Sequence, residues 1–137
     1  VTGAAAIECD EFFPHPPAAV WRALTEPALL ARWFARGDIE PVVGHRFTLE
    51  LDDGRREPCE VVAVEPERLL VYRFAAETLH TTITWRLTPE GNGTRLFLVH
   101  EGFDPDSPLG KEAFDRMGYG WPIVVRRVGA VVADLAA

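Results

Sequence analysis

The sequence predicts an α+β domain in which one long C-terminal helix covers an antiparallel sheet. Three observations carry this reading. In the closing stretch from Met117 to Ala137, the residues Trp121, Val124, Val125, Val128, Val131, Val132 and Leu135 recur at helical spacing on one side. Arg126, Arg127 and Asp134 fall elsewhere on the same helix. The middle of the chain divides into short strand-like segments at Val43-Gly44, Asp53-Gly54, Glu65-Pro66 and Gly91-Asn92-Gly93. Connections that short join hairpins, so the strands form an antiparallel meander. The sheet then needs a cover for its apolar face, and the closing helix is the only long one.

The 137 residues suit one domain over 1–137 with an ordinary core. Apolar residues make up 47% and charged residues 26%, which are globular values. A net charge of −7 argues against nucleic-acid and anionic-membrane partners, which require a basic patch. No apolar run approaches the roughly 18 residues of a membrane span. The first residues lack the basic and apolar regions of a secretory signal. Cys9 and Cys59 make no disulfide framework and read as reduced thiols, so a cytoplasmic location is expected.

In chain order, residues 7–13 form a short strand that ends at Pro14. Pro16 and Pro17 suit a helix entry, where a missing N–H was unpaired anyway. A helix of about two turns follows at 18–24, and a second at 26–33 with Thr25 as its cap. Strands are expected at 38–42, 45–51, 56–64, 69–74, 79–87 and 94–101, giving a sheet of six to seven strands. If the last hairpin has a two-residue loop, Thr81, Ile83, Trp85 and Leu87 share a face with Leu96, Leu98 and His100. That face is the more apolar and is placed towards the helix. Inward parity before Leu79 does not resolve, because 69–74 is apolar on both faces. Ser107-Pro108 starts a helix, and Gly118, Gly120 and Pro122 then predict a kink or a break into two.

Specific segments sharpen this order. Val20-Trp-Arg-Ala-Leu-Thr-Glu-Pro27 and Leu30-Ala-Arg-Trp-Phe34 resemble the opening helical pair of START-like (SRPBCC) proteins, whose arrangement is called the helix grip. Pro66-Glu-Arg-Leu69, Gly93-Thr-Arg-Leu-Phe-Leu-Val-His-Glu-Gly-Phe103 and Gly120-Trp-Pro-Ile-Val-Val-Arg-Arg-Val128 resemble a turn, the last strand and the closing helix of the Aha-type branch. This is the family of activator-of-heat-shock-protein-ATPase homologues. The likeness spans about Ile7 to Leu135. One departure is Pro41-Val-Val-Gly44, where the family usually has paired glycines. The resemblance implies a cavity between sheet and long helix, which superfamily relatives use for sterols, lipids or polyketides. It also implies a co-chaperone alternative, although those co-chaperones carry a further domain.

The expected site therefore lies in that cavity. Trp33, Phe34, Phe47, Tyr72, Phe74, Trp85, Leu98, Phe103, Met117 and Trp121 would line it, with Tyr72 and the indole N–H groups as orienting donors. His100 is the sharpest polar candidate, as a ligand to a substrate oxygen or as an acid/base. With Tyr72 and Glu101 or Glu57 it would make the only enzymatic constellation in view. His15, His45 and His80 show no ligand spacing for a metal, and no cofactor signature is present. Glu50, Asp52, Asp53, Glu57 and Glu60 read as a solvated acidic edge, and Arg126 and Arg127 as the helix's outer face. The leading function is binding of a small apolar or amphipathic ligand. Next come an interaction protein, as co-chaperone or homodimer, and then a cyclase- or hydratase-type enzyme.

Overall fold

A computed structural model describes residues 5–136. The elements are β1 (Ala5–Phe13), α1 (Pro17–Thr25), α2 (Pro27–Trp33), β2 (Arg46–Glu50), β3 (Arg56–Glu65), β4 (Leu69–Phe74), β5 (Thr81–Glu90), β6 (Gly93–Phe103) and α3 (Pro108–Ala136). The six strands form one curved antiparallel sheet in the order β1-β6-β5-β4-β3-β2. The helices lie on its concave face, with α3 packed against β1 and β6. This is the helix grip.

The last hairpin forms as parity predicts. Glu90 pairs with Gly93 across a two-residue loop, and Gly91 has φ 54°, the positive value such a turn needs. Trp85 faces Leu98 and Ile83 faces His100, all buried. The earlier strands are also readable once the register is known. Phe47 and Leu49 on β2, Cys59 and Val61 on β3, and Leu70, Tyr72 and Phe74 on β4 point inward. A register shift between Val61 and Ala63 inserts one residue into β3. That extra residue reverses the parity downstream, with no glycine or proline in the sequence to announce it.

Three expectations need correction. Residues 38–42 are not a strand, so the sheet has six strands. Pro41 has no N–H to give a ladder, and the Val42 N–H turns back to the Glu40 carbonyl at 2.8 Å. Ile39 is nevertheless buried, while Val42 and Val43 are exposed. Thr25 does not cap α2, because its hydroxyl donates to the Trp21 carbonyl at 2.8 Å within α1. The cap position of α2 belongs to Glu26. Finally, the break into two helices does not occur: α3 is one helix of 29 residues that continues through Pro122. A proline removes one backbone donor, here the one that would reach Gly118, and Gly118 has no side chain to crowd that turn. The buried face runs across the site on both sides, from Gly110 and Ala113 to Trp121, Val125, Val128, Val131 and Val132. Ser107 caps the start as expected, its Oγ accepting the Gly110 N–H at 3.3 Å.

Candidate functional site

Nine of the expected lining residues are buried between sheet and helices: Trp33, Phe47, Tyr72, Phe74, Trp85, Leu98, His100, Phe103 and Trp121. Phe34 and Met117 are half-buried. The aromatic rings touch one another in sequence. Trp33 meets Trp85 edge-on at 5.4 Å, Trp85 meets Trp121 at 5.6 Å, and Trp121 meets Phe34 at 5.0 Å. His100 lies against Phe103 at 4.5 Å and Phe74 at 5.3 Å.

The polar atoms in this interior are turned to protein partners. The Trp33 indole donates to the Ala23 carbonyl at 2.8 Å, and the Trp85 indole to the Tyr72 hydroxyl at 3.0 Å. Trp121 donates to His100 Nδ1 at 3.0 Å. An indole can only donate, so Nδ1 carries no proton. The neutral ring then has its proton on Nε2 and donates it to Thr81 Oγ1 at 2.9 Å. The Thr81 hydroxyl in turn donates to the Phe74 carbonyl at 3.0 Å. Burial pushes the His100 pKa down to about 3, which keeps the ring neutral. Burial likewise raises Tyr72 and pushes the Cys59 thiol up to about 12.

The candidates for acid/base work are not brought together. Glu101 is exposed on the opposite face of β6 from His100. Tyr72 engages Trp85, and Glu57 is buried near the far hairpin beside Arg55 and Arg116, where burial raises its carboxyl.

Open space lies at the end of this aromatic chain. An apolar cleft of about 260 Å³ opens between the β2–β3 hairpin tip, the end of α2 and the middle of α3. Its apolar lining is Phe34, Leu51, Phe74, Met117, Trp121 and Val124. Gly120 sits among them with nothing within 4 Å of where a Cβ would stand. The rim carries Asp52, Asp53 and Arg55 on the hairpin side, and Arg116 and Arg127 on the helix side. Asp53 accepts from the Arg55 backbone at 3.0 Å and from its guanidinium at 2.7 Å, which holds its carboxyl below the usual range. Of the expected residues, Phe34, Phe74, Met117 and Trp121 line this cleft. Phe47 borders instead a more polar depression beside β2, where Arg36 and Glu50 are paired. Trp121 is the shared wall: one side bonds the core through His100, and the other faces the cleft.

The sequence reading missed Leu51, Arg55, Arg116, Gly120, Val124 and Arg127 as neighbours of one space. A signal existed. Arg116, Gly120, Val124 and Arg127 are spaced to form one stripe on a continuous helix. The expected kink or break at Pro122 hid it.

An antiparallel sheet gripping a long helix, with a recess at one end, defines a START-like domain. Residues 14–133 match the family described as activator of Hsp90 ATPase homolog 1-like protein, and the chain belongs to that family. It is 34% identical to protein MLL2253 of Mesorhizobium loti, with 95% of this chain and 98% of that chain covered and a TM-score of 0.86. DynU16, a protein of the dynemicin biosynthetic locus, is 25% identical with a TM-score of 0.80. There the likeness covers 93% of this chain and 47% of DynU16, so the chain spans about half of it. The Aha1 dimer of Colwellia psychrerythraea shares the fold at 16% identity, covering 93% and 96% of the two chains with a TM-score of 0.80. No curated protein matches this chain.

Proposed function

We propose that this protein binds a small apolar or amphipathic molecule in the cleft beside Trp121. The observation that carries the reading is the contrast between two regions of one interior. From Trp33 to His100 the aromatic chain is filled and its polar atoms are bonded within the protein. At Gly120 the helix presents bare backbone to an apolar recess. Apolar area held open beside a packed core is what a ligand would cover. At about 260 Å³ the recess is just below the roughly 300 Å³ at which drug-sized pockets begin, so the ligand is small. The place of DynU16 in a biosynthetic locus supports such a role.

The test is a titration with octan-1-ol, followed by tryptophan fluorescence, since Trp121 lines the cleft. A saturable change is expected in the wild type. Gly120→Leu fills the recess from the helix side and weakens binding at least tenfold without loss of thermal stability. Absence of a saturable change, or equal binding by the variant, would remove the cleft as the site.

A second reading rests on α3. Tyr119 is 80% exposed and Ile123, one turn on, is 43% exposed. Two large apolar side chains together on the outer face support a homodimer contact of the kind the Colwellia protein's dimeric state suggests. Sedimentation at tens of micromolar tests this, and a monomer throughout that range retires it.

A further inference from the structure

We infer that the ligand of this cleft is an amphipathic carboxylate, with its head on Arg127 and its apolar body over Gly120 against Trp121. The inference rests on the cleft reading above and adds the chemistry of the head group. Its basis is the unequal supply of hydrogen-bonding capacity on the two rims. On the hairpin side Asp53 is occupied by Arg55, through the backbone N–H and the side chain. On the helix side Arg127 makes no ion pair or hydrogen bond among the described residues, although its guanidinium borders an apolar recess. Arg116 uses one nitrogen, Nη1, for both Glu112 oxygens, which leaves its other donors available. Arg55 spends only its Nε on Asp53 and keeps both terminal nitrogens, but its charge is already paired there, whereas Arg127 is a wholly unpaired cation among the described residues.

Position favours the same side. Arg127 stands next to Val128, which is fully buried, so its backbone is fixed by the helix packing. Asp52, the free carboxylate opposite, is on an exposed hairpin turn. A head group is held better by a donor on a packed helix than by an acceptor on a turn. The guanidinium fork matches the two oxygens of a carboxylate. A dianionic head would meet stronger repulsion from Asp52 and Asp53 across the same mouth. The stripe Arg116, Gly120, Val124, Arg127 places cation, open floor, apolar wall and cation along one line of the helix. The volume sets the size: about 260 Å³ holds roughly nine atoms at about 30 Å³ for each water-sized unit.

Octanoate, octan-1-ol and octylamine share a chain of this size and differ in charge. The wild type is expected to prefer octanoate, and the preference falls as sodium chloride is raised, while octanol binding holds. Arg127→Gln lowers the octanoate-to-octanol affinity ratio about fivefold, the upper range for an exposed ion pair, and leaves octanol affinity unchanged. Arg86→Gln, which removes an exposed cation from the opposite face of the sheet, leaves the ratio as in the wild type. The inference is overturned if Arg127→Gln keeps the ratio, or if octylamine binds more tightly than octanoate. Octanol binding with no charge preference rejects the head-group assignment alone. Failure of all three probes rejects the cleft itself.

Discussion

His100 shows how one buried polar residue can be fully used without being reactive. It accepts from Trp121, donates to Thr81, and stays neutral at ordinary pH. Its effect on stability has a definite sign. The folded pKa is lowered from 6.5 to about 3, so between those values the unfolded chain binds a proton that the folded chain does not. The stabilisation is complete above pH 6.5 and is lost as pH falls towards 3. Between pH 7.5 and 4.5 the wild type should lose about 2–3 kcal/mol more in urea unfolding than His100→Gln does. Parallel losses in the two proteins would show that the ring does not govern this window. Thr81→Val leaves the Nε2 proton without an acceptor and should cost about 1–3 kcal/mol at pH 7.5. The inward placement of His100 was legible from the parity of a two-residue hairpin. Its bond to Thr81 was not, because Ile83 is its direct cross-strand partner and Thr81 reaches it diagonally. Arg127 was legible as exposed, yet helical spacing alone does not say where the sheet stops covering the helix.

At the scale of elements, α3 holds the most informative difference between expectation and structure. A proline inside a helix removes a bond worth making, but a buried face on both sides can outweigh it. Trp121 and Val125 lie beside Pro122 and are both buried, and the Arg126 side chain donates to the Pro122 carbonyl at 3.1 Å. Pro122→Ala restores the missing donor at an exposed position and should raise stability by about 1–3 kcal/mol. Chemical denaturation checks this, and a neutral result would show that the Gly118 carbonyl already has a partner as good. The β strands divide in the same way. β5 and β6 follow from alternation and a glycine turn, whereas β3 carries an inserted residue at Val61–Ala63 inside an unbroken apolar run. Segment 38–42 places Ile39 and Val42 among polar residues, and Pro41 and the Val42 turn direct its hydrogen bonds elsewhere. Alternation reads a strand only where the ladder is regular: the bulge at Val61–Ala63 leaves no mark in its apolar run. At 38–42, by contrast, Pro41 is a visible breaker, outweighed in the sequence reading by Ile39 and Val42.

Across the whole molecule, α3 packs tightly towards its C-terminal end and leaves open space midway along its length, and two of its glycines report the difference. At Gly129 an added Cβ would stand 3.3 Å from the Phe13 ring, so helix and β1 are in close approach there. At Gly120 an added Cβ would meet nothing within 4 Å. Glycine to alanine in a helix interior is worth about 1 kcal/mol through backbone entropy alone. The surroundings then decide the sign. Gly120→Ala should gain that amount, because nothing opposes it. Gly129→Ala sets the same gain against compression of Phe13, a side chain buried under the helix, and should be near neutral or unfavourable. Gly129→Val adds two methyl groups to that contact and should cost about 1–3 kcal/mol by overpacking. Urea unfolding of the three variants at one pH gives the comparison. Equal stabilisation by alanine at both positions would mean that α3 is not seated on Phe13. A gain at 120 with a loss at 129 places the tight contact of the grip at β1 and its open stretch at the cleft, where a ligand would complete the packing that the chain leaves unfinished.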